Sequence, residues 1–151
     1  MRKTTCFLIA ALLSGCAATS VPPNFLYETS LRGEQGFIGR AERLESAKSL
    51  LEAGGVSDPS LALAAALPDR DVEVKRWGLK YFGSDWARYQ TVLDANVKDG
   101  DETVKCRLAT PENHDAAPTL DKLRANEGVE LQRRLDELVK ACTVKAGEFM
   151  P

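Results

Sequence analysis

The sequence predicts an all-α domain, a small bundle of about six short helices. Two observations lead to this fold class. Apolar residues recur at spacings of three and four along several segments, which is the period of an amphipathic helix. Glycine, proline and potential capping residues divide the chain at the ends of those segments. No window alternates apolar and polar residues with enough β-branched content to predict a strand.

The first fifteen residues have the plan of a secretory signal peptide. Arg2 and Lys3 supply a positive start, and residues 6–13 form a continuous apolar run. A bilayer-spanning helix needs about 20 apolar residues, so this run is too short to cross a membrane. We therefore predict that residues 1–15 are removed from the mature protein.

The end of the apolar run is more specific than an ordinary cleavage site. Leu13-Ser14-Gly15-Cys16 resembles the lipobox of bacterial lipoproteins. The resemblance implies cleavage before Cys16, a diacylglyceryl thioether on its sulfur and a fatty acyl group such as palmitate on its new amine. Two or more fatty chains hold a protein stably at a membrane. Because Ala17 rather than aspartate follows the cysteine, the resemblance further implies an outer-membrane address facing the periplasm.

Residues 16–36 are predicted to be a lipid anchor and flexible linker in front of a helical domain over residues 37–151. Pro22 and Pro23 favour extended geometry, and several glycines interrupt any regular structure. The apolar segment 25–27 allows two interpretations. It folds back onto the domain, or it is a docking peptide for a partner, and the first is favoured because scattered surface apolar residues are common.

The first two predicted helices cover residues 40–53 and 61–67. In the first, apolar side chains follow helical spacing, and two consecutive glycines stop it. The second follows Asp58-Pro59, which is a capping residue with proline in the first turn, and it ends at Pro68.

Three further helices are predicted over residues 71–82, 85–97 and 102–109. Aspartate or serine precedes each as a cap, and Asp99-Gly100 marks a turn before the third. A seven-residue pattern, Asp-x-Asp-x-x-Val-Lys, occurs at residues 69–75 and returns thirty residues later at residues 99–105. The pattern resembles helical-pair repeats of the HEAT type, which implies stacked helix pairs over residues 58–110.

The last helix is the clearest element, and Thr119 is predicted to cap it. Gly128 is expected to bend it and Gly147 to end it. One apolar stripe runs along the helix at spacings of three and four, and it predicts the buried face. The stripe consists of Leu131, Leu135, Leu138, Cys142 and Ala146.

The cysteine count predicts a disulfide. Cys6 leaves with the signal peptide and Cys16 is the lipid site, so Cys106 and Cys142 remain. An exported chain meets an oxidising compartment, where a disulfide is the default and two buried free thiols are the alternative. One observation does not fit the disulfide. Cys142 lies on the apolar stripe of its helix, but Cys106 would lie on the side opposite Val104 if residues 102–109 form a helix. A metal site needs more ligands than the sequence offers beside them, and no cofactor is predicted.

Aromatic residues are most concentrated at Trp77, Tyr81, Trp86 and Tyr89. Such rings are typical of a protein-binding hot spot or of a groove for sugars such as peptidoglycan. The other interpretation is that they form the core of a helix pair, because aromatic side chains bury large apolar areas. These four residues are the candidate interaction patch.

The charge pattern and the motifs limit the function classes. The chain has a formal net charge of -2 and no basic run, so no nucleic-acid partner is predicted. Glu112, His114 and Asp115 occur together, but a solvated loop explains them better than acid–base catalysis. No catalytic motif accompanies them, and no catalytic residue is predicted.

We therefore expect a lipoprotein of the bacterial cell envelope that acts as a non-catalytic protein-interaction module. Its partners are the membrane, through the lipid, and an envelope protein for which it serves as scaffold, accessory, inhibitor or immunity subunit. The alternative is a cell-envelope hydrolase or a peptidoglycan-binding protein. A convergent polar pocket favours the enzyme, and an exposed apolar patch favours the interaction module.

Overall fold

The computed structural model describes residues 22, 24–27, 51, 56–82 and 88–149. The described elements, in chain order, are strand β1 (Phe25–Tyr27), helix α1 (Pro59–Ala66), strands β2 (Asp71–Tyr81), β3 (Tyr89–Asp99) and β4 (Glu102–Thr110), a short 3-10 helix (His114–Ala116) and helix α2 (Leu120–Phe149). The domain is therefore α+β, and the prediction of an all-α bundle of six helices is wrong.

A four-stranded sheet in the order β1-β2-β3-β4 carries the fold. β2, β3 and β4 form an antiparallel meander, and the short β1 pairs in parallel with β2 at the opposite edge from β4. Helix α2 packs on β3 and β4, while α1 packs on β2 and on α2, so the two helices cover one face of the sheet. The largest fully buried side chains are Leu63, Trp77, Leu79, Leu93, Leu123, Leu131 and Leu135.

Strand β3 replaces the helix predicted over residues 85–97. Every second side chain from Tyr89 to Val97 is buried, and the side chains between them are partly exposed on the other face. That alternation is the period of a strand with one face on the core. Thr91 is one of the buried residues, and its hydroxyl has no hydrogen-bond partner in the described structure.

Strands β2 and β4 replace the other two central helices. The prediction of HEAT-like helical pairs over residues 58–110 is therefore also wrong. The two copies of the repeated pattern open strands, and their valines Val74 and Val104 both pack towards the core. Asp99 and Glu102 face each other across the turn between β3 and β4, where Gly100 takes a φ of +58°. The predicted turn is therefore present, but it connects a β-hairpin.

Helix α1 forms where its capping signals predict it. The backbone N–H of Ser60 donates to the Asp58 carboxylate at 2.8 Å, and Pro59 occupies the first turn. Proline suits this position because its missing N–H has no helical partner there in any case. Leu63 from this helix is fully buried against the sheet.

The apolar stripe predicted for the last helix is confirmed in α2. After the irregular stretch that ends at Gly128, the buried residues of the helix are the five members of the stripe and Arg134. The hydroxyl of Thr119 accepts from the Lys122 N–H at 3.5 Å, consistent with the predicted cap. The backbone leaves helical geometry from Ala125 to Gly128, where Gly128 has a φ of +81°. The expected bend at this glycine is therefore present.

The segment 25–27, predicted to lie in the linker, joins the sheet as β1. Phe25 is buried, and its ring centroid lies 4.6 Å from that of Trp77. Asn24 fixes the start of the strand, because its side-chain amide donates to the Val74 carbonyl at 3.1 Å and its own carbonyl accepts from the Trp77 N–H. The interpretation that these residues fold back onto the domain matches this arrangement.

The helix predicted over residues 40–53 lies outside the described residues, apart from Leu51. Leu51 is helical and packs against the core with a partly buried side chain.

A charged cluster on α2 stabilises the helix just after its irregular segment. Glu130 accepts hydrogen bonds from Arg133 at 2.9 Å and from the nearly buried Arg134 at 2.7 Å, and Arg133 also pairs with Glu137. These guanidinium donors, Arg133 first, lower the pKa of Glu130 from 4.5 to about 2 against the opposing effect of burial.

This cluster predicts a loss of stability in acid. Because the folded-state pKa of Glu130 is depressed, its contribution is complete above about pH 4.5 and is lost as the pH falls towards 2. Glu130→Gln is expected to lower the free energy of unfolding by about 1 to 2 kcal/mol at pH 7. Urea unfolding of both proteins at pH 7 and pH 3 measures the effect, and a difference that fails to shrink at pH 3 contradicts it.

Candidate interaction surface

The three described residues of the predicted aromatic patch do not form an exposed surface. Trp77 is fully buried, and Tyr89 is 4 % exposed. Tyr81 is partly buried and faces Tyr89 across the β2–β3 pair. Trp86 lies outside the described residues. Trp77 and Tyr89 are therefore core residues of the sheet, which is the second interpretation that the sequence allowed.

Cys106 and Cys142 lie at disulfide distance, with the two Sγ atoms 2.03 Å apart and the α-carbons 5.5 Å apart. Cys106 is on β4 and Cys142 is on the stripe of α2, so the bond joins the sheet to the helix that covers it. The conflict between Cys106 and Val104 disappears on a strand, because residues two apart share a face. Cys16, the predicted lipid site, lies outside the described residues.

Among the described residues, the loop with Glu112, His114 and Asp115 does not form a convergent polar site. His114 and Asp115 approach to 3.6 Å, but the Asp115 side chain is 95 % exposed. The ring of His114 lies 5.5 Å from that of Phe82. Within the described ranges, no group of three or more histidine, cysteine or acidic side chains is placed to hold a metal ion.

An apolar groove runs between β4 and the C-terminal half of α2. It is open and shallow, with a volume of about 620 Å³. Leu108 of the strand and Ala141, Val144 and Phe149 of the helix supply its apolar lining. Four charged residues complete the lining, namely Glu137, Lys140, Lys145 and Glu148.

Two side chains in this groove are unusually exposed for their size. Val144 is 53 % exposed and Phe149 is 64 % exposed. Both lie on α2 outside its buried stripe, so packing against the sheet does not require them. Adjacent exposed apolar side chains rimmed by charge are typical of an interaction surface. The exposed Leu61 and Val129, in contrast, line no part of this groove.

Among the described residues, β4 is an edge strand with no neighbour on its outer side, and the groove lies beside this free edge. The Phe82 N–H donates to the Arg88 carbonyl, so the backbone N–H and C=O groups of Arg88 point towards β2. Because these groups alternate in direction along a strand, the even-numbered residues of β3 bond to β2 and the odd-numbered residues bond to β4. Val97 and Ala95 are thus hydrogen-bonded to their β4 partners. The odd-numbered residues of β4 therefore point their backbone N–H and C=O groups away from β3, towards the outer side of the sheet. They are Thr103, Lys105, Arg107 and Ala109.

One contact supports this assignment and partly protects the edge. The Lys145 ammonium group of α2 donates to the Lys105 carbonyl at 2.9 Å. Lysine is a common protector of edge strands, because its charge opposes uncontrolled pairing with other strands. The edge is therefore shielded at one carbonyl and accessible beside it.

The surroundings of the groove carry an excess of positive charge. Lys105 and Arg107 lie on the exposed face of β4, and Lys140 and Lys145 line the groove. Of the two glutamates in the lining, Glu137 is already paired with Arg133. A shallow depression of about 180 Å³ on the open face of the sheet is basic as well. It is lined in part by Arg76, Lys80 and Arg107, with Asp94 between them in register.

No protein-family model, curated protein or solved structure matches this chain. Within the described part, neither helix has both the length and the apolar character to cross a bilayer.

The groove was missed in the sequence, although a signal for it exists. Val144 and Phe149 are apolar residues away from the stripe of the last helix, where charged residues otherwise prevail. An apolar residue on the polar side of an amphipathic helix is a mild indication of a second contact. Leu108, which faces these residues across the groove, could not be recognised from the sequence, because the strand that carries it was predicted to be a helix.

Proposed function

We propose that this protein is a lipid-anchored lipoprotein of the bacterial envelope that acts as a non-catalytic interaction module. The observation that carries the proposal is the groove between β4 and α2, where Val144 and Phe149 are exposed beside a free strand edge. A surface of this kind suits a protein partner, because in the described structure the Lys105 carbonyl is the one backbone group on the outer side of β4 with a partner, and the apolar side chains of the groove are exposed.

The lipobox supplies the address in this proposal. Acylation of Cys16 on sulfur and amine would give an anchor with more than one fatty chain, which is stable against spontaneous release. The residues that follow suggest the outer membrane, with the domain in the periplasm. An anchored module is confined to the layer where its partner works, and weak contacts are then strengthened by high local concentration.

The docked strand β1 limits how far the domain can move from the anchor. Seven residues, 17–23, separate Cys16 from Asn24, which is eight residue-to-residue steps, and the sheet holds Asn24 by two hydrogen bonds. A fully extended chain of this length spans roughly 25 to 30 Å. β4 lies three strand spacings beyond β1, or about 14 Å, at the opposite edge of the sheet. The anchor therefore joins the domain at one edge, and the groove occupies the other.

The described aromatic residues give little support to the alternative, a peptidoglycan-binding protein or a hydrolase. A sugar-binding groove needs exposed rings, whereas Trp77 and Tyr89 are buried. The interaction module is the better supported of the two because its groove is exposed.

Fatty-acid labelling in a bacterial host tests the anchor. We expect the wild-type chain to incorporate labelled palmitate and to fractionate with membranes. Cys16→Ser is expected to remain uncleaved and unlabelled, because it lacks the thiol that receives the lipid. Cys6→Ser is the matched control and should be processed normally, since position 6 lies inside the segment that is removed. Normal processing of Cys16→Ser would contradict the proposal.

A further inference from the structure

We propose that the free edge of β4 and the adjoining groove bind an extended segment of a partner protein as a fifth strand, and that this segment alternates acidic and apolar side chains. The inference rests on the proposed function and specifies the partner of the same surface. Three features of the described residues lead to it: unused backbone groups, an apolar lining on one side and positive charge on the other.

The backbone provides the pairing. Thr103, Lys105, Arg107 and Ala109 direct their N–H and C=O groups away from β3, which is the pattern that an added strand recognises. Only the Lys105 carbonyl has a described partner on this side, the ammonium group of Lys145. That contact is exposed, so an incoming N–H can replace it at little cost.

The groove determines one half of the incoming side chains. In a strand, successive side chains point to opposite faces of the sheet. An added strand lies about 4.8 Å beyond β4, so its side chains on the helix-covered face reach Leu108, Ala141, Val144 and Phe149. These positions favour apolar residues in the partner.

The charges determine the other half. Side chains on the open face of an added strand would lie beside Lys105 and Arg107. Opposite charges on neighbouring strands stabilise a pair, and like charges directly opposite destabilise it. These positions favour glutamate or aspartate. A second copy of this chain fits poorly, because its own β4 would bring a further Lys105 and Arg107 to the same face.

A short capped peptide that alternates glutamate with valine is the probe. It is titrated into the full chain, purified in detergent, and binding is followed by fluorescence anisotropy of a terminal dye. We expect saturable binding. Methylating the backbone nitrogens of alternate residues should weaken it at least about tenfold in the register that faces β4, because each methyl group removes a hydrogen bond from the added strand. Replacing glutamate with lysine should weaken it similarly.

Two protein variants locate the site. Val144→Asp places a charge in the groove, and Ala109→Pro removes an N–H that points away from the β3–β4 ladder, a position where edge strands tolerate proline. Each is expected to weaken binding at least about tenfold. Leu61→Asp is the matched control, since Leu61 is 81 % exposed on α1 and lies outside the groove, and it should bind as the wild type does. If Ala109→Pro does not fold, the methylated peptides still test the strand pairing.

Four results would overturn the inference. They are no binding of the alternating peptide, equal binding of its lysine counterpart, retained binding by both methylated registers, and a dimer of this chain that Val144→Asp disperses. The last would identify a second copy as the occupant. None of them bears on acylation of Cys16, so the strand-addition mode can fail while the anchored interaction module stands.

Discussion

Replacing Cys106 and Cys142 together with alanine is expected to lower the free energy of unfolding by about 3 to 4 kcal/mol. The bond closes a loop with a sequence separation of 36 residues, and removing it returns that conformational freedom to the unfolded chain. For a domain of this size the melting temperature should fall by roughly 10 to 15 °C. The effect is large because the bond joins the sheet to α2, which covers it.

Calorimetry of the oxidised and reduced wild type, with the double variant beside them, measures this loss. Reduction should bring the wild type close to the double variant and leave the double variant unchanged. Mass spectrometry of a non-reduced digest should contain the linked peptides of Cys106 and Cys142. An unchanged melting temperature on reduction, or both cysteines recovered as free thiols, would contradict the expected bond.

Trp77→Ala is expected to destabilise the domain by about 3 to 5 kcal/mol. Trp77 is fully buried, its ring lies 4.6 Å from that of Phe25, and it faces Leu93 on the next strand. Truncation leaves a large cavity in the sheet and removes the surface on which β1 packs. Strand β1 should therefore loosen as well.

Trp77→Phe separates a core role from a binding role. The indole N–H is buried without a hydrogen-bond partner in the described structure, so its loss offsets part of the smaller volume. Chemical denaturation should give Trp77→Phe a loss of less than half that of Trp77→Ala. A Trp77→Ala protein as stable as the wild type would contradict the core assignment.

The two described helices were predictable because their signals are local. Asp58 and Pro59 announce α1, and the period of the last apolar stripe is consistent over four turns. Gly128 also marked the bend correctly, since a glycine readily adopts the positive φ found there. Caps, breakers and a long period require no knowledge of the rest of the fold.

The strands were missed because a spacing of four residues fits two periods. Tyr89, Leu93 and Val97 are each four apart, which matches a helical face and also every second position of a strand. Thr91 and Ala95 decide between them, and both are buried. One is polar and the other is small, so neither strengthened the alternation in the sequence.

Strand β2 was obscured by a shift in register. Its pairing with β3 is irregular between Val74 and Arg76, where Lys75 is an extra residue. Alternation runs correctly from Asp71 to Val74 and again from Trp77 onward, but the two stretches are out of phase. A pattern search over the whole segment averages them and favours the helix.

The wrong secondary structure of residues 102–109 prevented the prediction of the groove more than that of any other feature. Residues that meet across β4 and α2 are about 36 positions apart, so the groove exists only once residues 102–110 are a strand. The disulfide could still be predicted, because its prediction used the number of cysteines and the expected oxidising compartment rather than the secondary structure. The lipobox remains a prediction, since Cys16 lies outside the described residues.

Site-specific photocrosslinking in the envelope tests whether the protein is an anchored module that binds a partner through the groove. A benzophenone amino acid is placed at Val144 in one strain and at Leu61 in another, and the crosslinked peptides are sequenced. We expect one discrete adduct from position 144, formed through an extended acidic segment of the partner. We expect none from position 61 and loss of the adduct in the Cys16→Ser background. No adduct from position 144, or the same adducts from both positions, would contradict it.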